Sequence, residues 1–218
     1  MIDIIIPVLN EEKILKEKQE YYLSLKRKAR VVFVDGGSVD LTAQIARNYG
    51  EVISSVPGRA FQKNRGAEVT HADMLLFLHV DSFISDEAIS HILQASQNGL
   101  KAGCLTMKIQ DQKFIFRIYE FLVNVRAKFF GVIDGDLGLI VNRDIFEGVG
   151  RFDNVPMMED IFFSKKLCRA TKIKVLSNPI FVSTRKWHKE GFLKTFFLYT
   201  LAYLQLWSGA RFLKNDHP

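Results

Sequence analysis

The sequence predicts an α/β protein of three layers, with a mostly parallel sheet between helices and a helical extension at the C-terminal end. Three observations carry this. Short, uniformly apolar runs recur through the first hundred residues, as strands buried on both faces do. Polar, helix-forming stretches separate them, and strand–helix–strand alternation implies right-handed crossovers onto a parallel sheet. The apolar runs also end in polar clusters, and open parallel sheets bind ligands where strands end and helices begin.

Element by element, Ile2–Ile6 is the first strand, and Asn10 opens a helical stretch reaching Lys28. Arg30–Asp35 is the second strand, followed by a helix over Ser38–Tyr49 with Ser38 as its cap. Gly58 opens a third helical stretch ending at Thr70, and Met74–His79 is the next strand. Ala102–Ile109 reads as a strand, Phe114–Phe130 as an aromatic-rich helix, and Gly138–Asn142 as a short strand. Met158–Arg169 is a helix. Lys172–Leu176 and Ile180–Ser183 read as a strand pair around Ser177-Asn178-Pro179. Glu190–Lys214 is a long apolar helix. No internal repeat and no Pro/Ser-rich linker interrupts the chain.

Composition narrows the function. At 218 residues, 48% hydrophobic and 25% charged, the chain can bury a core without staples, and disordered or collagen-like classes are excluded. Cys104 and Cys168 cannot make a disulfide scaffold, no CxxC exists for zinc, and a reduced, intracellular setting is expected. Thirty basic against 24 acidic residues leave a charge of +6. That suits phosphorylated ligands or anionic lipid, and is too small and too interleaved with acids to favour nucleic acid. The N-terminus lacks the basic region of a signal peptide. The longest uncharged stretch, residues 195–210, is shorter than the roughly 20 apolar residues of a spanning helix.

Four polar clusters fall at one sheet edge: Pro7 to Glu12, Asp35 to Asp40, Gly58 to Gly66, and His79 to Ser82. Asp35 at a strand end can accept from a base or a ribose, and Gly36-Gly37 allows close backbone approach. Arg59 and Lys63, four apart, share a helix face beside an N-terminus, where a phosphate group is favoured. His79 and Asp81 share a face of extended chain, and a hard cation that bridges phosphates needs only one or two carboxylates; a turn with Asp81 capping the next helix is the alternative. Glu159-Asp160 opens a helix, where acids suit the dipole and where one carboxylate could serve as a general base.

Read together, Ile6-Pro7-Val8-Leu9-Asn10-Glu11-Glu12, Val34-Asp35-Gly36-Gly37-Ser38-Val39-Asp40, the stretch from Gly58 to Ala67, Leu78-His79-Val80-Asp81-Ser82, Gly135-Asp136-Leu137-Gly138 and Met158-Glu159-Asp160 resemble the ordered motifs of family 2 glycosyltransferases. The resemblance covers about residues 2 to 190. It is closest to the short single-domain, bacterial-type branch with a Leu-His-x-Asp metal motif. It implies a GT-A-like, Rossmann-like fold with a nucleotide-sugar-binding catalytic domain over 1–188, and 189–218 as an apolar, aromatic helix rather than an independent domain.

The resemblance also implies roles. Pro7, Asn10 and Glu11 would border the nucleoside, Asp35 would hold the base, and Arg59, Asn64 and His79 would lie at the donor. Asp81 would bind a divalent cation, Mn²⁺ or Mg²⁺. Asp160 would be the general base with Glu159 in support, and Asp136 and Trp187 would border the acceptor. Beyond the resemblance, His188 is a further candidate metal ligand. Two departures stand out. The first Asp of the family's DxD motif is His79, whose imidazole can ligate Mn²⁺ but softens the site. The Gln-x-x-Arg-Trp motif of processive synthases is not intact, which disfavours a self-translocating polymerase.

The reading is an inverting, metal-assisted transfer of a sugar from a nucleotide-diphospho-sugar to an acceptor hydroxyl. A nucleotidyltransferase on a similar sheet, or a non-catalytic nucleotide-binding or membrane-surface module, is the alternative. The dense aromatic load of residues 192–207, bracketed by Lys189, Lys194, Arg211 and Lys214, suits a membrane-surface contact or a homodimer. A cytoplasmic location is expected, and a membrane-surface contact would make it peripheral at the inner face of the plasma membrane and fit a lipid-linked acceptor.

Overall fold

The computed structural model describes residues 1–155, 157–185 and 187. Chain contacts divide it into one unit of Met1–Val182 and a second of Ser183–Pro218. The first unit contains β1 (Ile2–Val8), α1 (Glu12–Glu17), α2 (Gln19–Lys28), β2 (Arg30–Asp35), α3 (Thr42–Ala46), β3 (Glu51–Ser54), α4 (Arg59–Val69), β4 (Met74–Phe77), β5 (Ser82–Ile84) and α5 (Asp86–Gln97). It continues with β6 (Ala102–Ile109), α6 (Phe114–Phe130), a 3-10 turn at Gly135–Leu137, β7 (Leu139–Asn142), α7 (Arg143–Gly148), α8 (Glu159–Ala170) and β8 (Ile173–Val182).

The strands form one sheet in the order β3-β2-β1-β4-β7-β6-β8-β5. The first four are parallel neighbours. β7 runs antiparallel to both β4 and β6, β5 runs antiparallel to β8, and β6 pairs with β8 in parallel. The sheet is therefore mixed, with its wholly parallel half in the N-terminal part, where the apolar runs are most uniform.

Alternation along β1 explains the layers. Ile2, Ile4, Ile6 and Val8 join one core cluster with Tyr22 and Leu25 of α2 and with Ile89 and Ile92 of α5. Ile5 faces the other way, so close to α4 that a side chain at Gly66 would meet its Cγ2 at 2.4 Å. Both faces of β1 are thus covered by helices, which is why the run is apolar apart from the buried Asp3, whose Oδ2 accepts from His71 N and Ala72 N. On the α4 side a second cluster packs Phe77, Phe146, Phe152 and Phe163 in edge-on and tilted contacts, with centroids 4.5–5.6 Å apart.

Several elements differ from the sequence reading. The helical stretch from Asn10 breaks at Lys18 into α1 and α2. The stretch after Ser38 yields only the short α3, because Asp35 and Asn10 engage its first residues. The expected strand pair at 172–183 is one continuous strand, β8. The turn signal Ser177-Asn178-Pro179 is absorbed as an irregularity in register, Cys104 pairing with Val175 but Thr106 with Pro179. The N-cap of α5 is Ser85 rather than Asp81, and it accepts from Ala88 N at 3.2 Å. The helix expected over Glu190–Lys214 lies outside the described residues.

Candidate functional site

Parallel pairing sets the C-terminal ends of β2, β1 and β4 side by side. Gly36 N donates to Val8 O (3.0 Å), Leu78 N to Ile5 O (3.0 Å) and Ser55 N to Asp35 O (2.8 Å). Gln62, buried on α4, ties the edge together by donating from Nε2 to Val8 O (2.9 Å) and Val34 O (2.7 Å). That is why position 36 is a glycine: a Cβ there would come 3.0 Å from Gln62 Nε2. The sequence reading of polar clusters converging on one edge is realised here.

The clusters also lock to one another. Asn10, held at φ 54°, accepts from Val39 N with its Oδ1 (2.9 Å), while its own N donates to Ser38 Oγ (2.9 Å). Asn10 and Ser38 therefore bridge two strand-end loops, where the sequence had suggested helix caps. Asp35, buried at the end of β2, accepts from Ser38 N at 3.2 Å. Glu11 N donates to Thr42 Oγ1 (2.7 Å), and Pro7 pairs with Val34 in register. Arg59 is exposed at the start of α4, after Gly58 at φ 129°.

Two carboxylates meet beneath this edge. Met158, left-handed at φ 64°, turns the chain into α8, a conformation that strains a non-glycine residue. Glu159 and Asp160 follow, only 4% and 6% exposed. Between them lies the ammonium of Lys63, itself 1% exposed, 2.7 Å from Glu159 Oε1 and 2.6 and 2.7 Å from Asp160 Oδ1 and Oδ2. Lys63 also stands 5.0 Å above the centre of the Phe152 ring. The basic pair expected to meet a phosphate therefore splits: Arg59 stays at the surface and Lys63 turns inward.

One ammonium between two buried carboxylates drives their acidities apart. Burial pushes the Asp160 carboxyl above the usual range; Lys63 opposes this and the charge of Glu159 adds to it. Burial works against the Glu159 charge too, but the charge and hydrogen bond of Lys63, with help from Arg59, outweigh it and hold the group at about 2. Divergent pairs of this kind separate a proton acceptor from a permanent charge.

A third arm arrives from β4. His79 Nδ1 lies 2.8 Å from Asp136 Oδ1 in the 3-10 turn. Its buried Nε2 has no hydrogen-bond partner among the described residues. A Cβ on Gly135 would stand 2.4 Å from Asp160 Oδ2 and 2.5 Å from His79 Nε2, so both atoms face one small space that only glycine leaves open. Ser164 Oγ fixes this turn to α8 by accepting from Ile133 N (2.9 Å) and donating to the Asp160 carbonyl (2.7 Å). His79, read from sequence as a donor contact, thus stands beside the carboxylate pair.

Among the described residues no group of three or more His, Cys, Asp and Glu forms a metal cage. Asp81, half-buried at the same edge, is a hard oxygen donor of the kind that could hold Mn²⁺ or Mg²⁺ together with substrate phosphates. Asn64 is engaged elsewhere. Its Nδ2 donates to Phe152 O (2.9 Å) and its Oδ1 accepts from Phe152 N (3.1 Å). That clamps the loop before α8. Trp187 belongs to the second unit, and His188 lies outside the described residues. The sequence reading missed Gln62, the space that Gly135 leaves open beside Asp160 and His79, and the inward turn of Lys63. A signal existed for the last: Ala60, Lys63 and Ala67 share one stripe of α4, and all three are buried.

The family model of Glycosyl transferase family 2 matches residues 3–192. A 4,4'-diaponeurosporenoate glycosyltransferase of Staphylococcus haemolyticus is 29% identical over 56% of this chain, and one of Staphylococcus aureus is 28% identical over 55%. Each alignment covers 34% of the relative, so the chain spans about a third of the length of these proteins. Staphylococcus aureus TarS in complex with UDP-GlcNAc aligns over 84% of this chain and 58% of its own, with TM-score 0.64 and 19% identity. A mannosyltransferase of Pyrobaculum calidifontis in complex with GDP-Man and Mn²⁺ aligns over 83% and 56%, with TM-score 0.64 and 15% identity. At these identities the likeness is one of fold. The family match runs from β1 through the carboxylate helix, over a sheet that both structures share, and the chain belongs to glycosyl transferase family 2.

Proposed function

We propose that this chain transfers a sugar from a nucleotide-diphospho-sugar to an acceptor hydroxyl, with inversion, and that Asp160 is the general base. The observation that carries this is the buried pair Glu159–Asp160 on one ammonium, with acidities driven apart. Glu159 stays charged and balances Lys63. Asp160, the more basic carboxylate, accepts the acceptor proton at its Oδ, while Lys63 orients it and His79, held by Asp136, walls the same space. Asp35, Pro7, Asn10 and Glu11 border the nucleoside, and Arg59 meets the diphosphate electrostatically. Asp81 would hold a divalent cation, which when bound offsets the charge growing on the departing diphosphate. A base on the face opposite the leaving group gives inverted configuration. The sugar-nucleotide complexes of the structural neighbours support the donor class, and the Mn²⁺ complex supports the cation.

The test is a panel of nucleoside diphosphates and their sugar conjugates, read first by thermal shift. Saturation at a hundred times the dissociation constant adds about 2.7 kcal/mol of apparent stability. One nucleoside diphosphate is expected to stabilise the chain, and its sugar conjugate to yield that diphosphate on turnover with an acceptor. Release of pyrophosphate would point to nucleotidyl transfer instead, and no stabilisation by any member would overturn the reading.

A further inference from the structure

Helix α6 carries two opposed apolar faces. One packs inward, with Phe116, Glu120, Val123 and Ala127 buried. Its rotation is fixed: Asn124 accepts from Met107 N (2.8 Å) and donates to Met107 O (3.1 Å), and Glu120 accepts from Ile109 N. The other face points away from the sheet. Phe114, Ile118, Phe121, Leu122 and Phe129 follow helical spacing along it, from 42% exposed at Ile118 to 77% at Phe114. Scattered exposed apolar residues need no explanation, but a continuous aromatic stripe on a rotationally locked helix does.

We propose that this outward stripe of α6 docks on an anionic phospholipid surface, the helix lying in the plane of the interface. Exposed Lys113 and Lys128 stand at its two ends. Glu120, the helix's one acidic residue, is buried, so the outward face is apolar and basic. The chain as a whole carries +6. Aromatic rings flanked by lysines match the boundary between acyl chains and anionic headgroups. A second copy fits less well, because an isologous antiparallel pairing of this helix brings Lys113 of one copy against Lys128 of the other. The inference stands apart from the chemistry proposed above and from the aromatic segment at 192–207.

Flotation of the full chain with vesicles tests it, using phosphatidylcholine alone and phosphatidylcholine with phosphatidylglycerol. Binding is expected only to the anionic vesicles and to weaken with salt. Phe114→Ser/Phe121→Ser/Phe129→Ser should reduce it at least tenfold with the thermal midpoint little changed, since those side chains are largely exposed. Lys113→Gln/Lys128→Gln should weaken it without abolishing it. Failure of the wild-type chain to bind any vesicle would overturn the proposal. So would wild-type binding by the triple Phe variant, which would assign attachment to 192–207, or a dimer in solution that this variant dissolves.

Discussion

At the residue scale the decisive contrast is between two adjacent carboxylates. The Asp160 carboxyl is pushed up by burial, so the proposed base would work above that raised pKa and be lost as pH falls through it. The acidic limb of the rate profile is expected above the ordinary aspartate range near ~3.9. Asp160→Asn should lower turnover by roughly 10²–10⁴-fold while donor affinity barely changes. The stability sign is opposite for the two groups. A carboxyl raised by folding contributes stability at low pH that is lost as pH rises through the folded pKa, so Asp160→Asn should not lower the thermal midpoint at neutral pH. Glu159, depressed to about 2, contributes stability above its unfolded pKa that is lost only as pH falls towards that value. Should Glu159→Gln prove the crippling change and Asp160→Asn mild, the roles are reversed.

At the scale of elements, α4 and α8 act as a pair. α4 delivers Gln62 to the strand ends and Lys63 to the carboxylates; α8 delivers the carboxylates from a strained first turn. A buried ion pair contributes little net stability against apolar replacements, but breaking one side leaves uncompensated charge. Lys63→Met should therefore cost about 3–5 kcal/mol in chemical denaturation. Adding Glu159→Gln and Asp160→Asn should restore most of that loss. A Lys63→Met variant as stable as wild type would show that the ammonium is not their counter-charge.

At the scale of the molecule, the parallel half of the sheet makes the edge at which we propose the nucleotide binds, and the antiparallel strand β7 brings the 135–137 turn to it. Asp81 stands on that edge and Asp160 beneath it, so cation and base can be separated by experiment. Mn²⁺ should deepen the stabilisation by the preferred nucleoside diphosphate in the wild-type chain. Asp81→Asn should abolish the increment while leaving the nucleotide-only shift, because the nucleoside contacts we propose are at Asn10, Glu11 and Asp35. An unchanged increment would remove Asp81 from the site.

The sequence by itself determined the fold class and the sheet edge at which its polar clusters meet. Uniform apolar runs such as Ile2–Ile6 and Arg30–Asp35 can be buried on both faces only in a covered sheet, and the polar residues after each run mark its working edge. The same local signals explain why Phe114–Phe130 was legible to the residue. Only the tertiary structure decided what each polar side chain does. Ser38 could cap a helix or bind a neighbouring loop, Lys63 could meet solvent or two carboxylates, and Ser177-Asn178-Pro179 could turn the chain or pass as an irregularity in β8. Their neighbours lie far away in sequence: Lys63 meets Asp160, Asn64 meets Phe152 and His79 meets Asp136. Local propensity is a property of a few consecutive residues, whereas a buried polar group takes whatever partner packing brings within reach, because leaving it unpaired costs more than the local alternative gains.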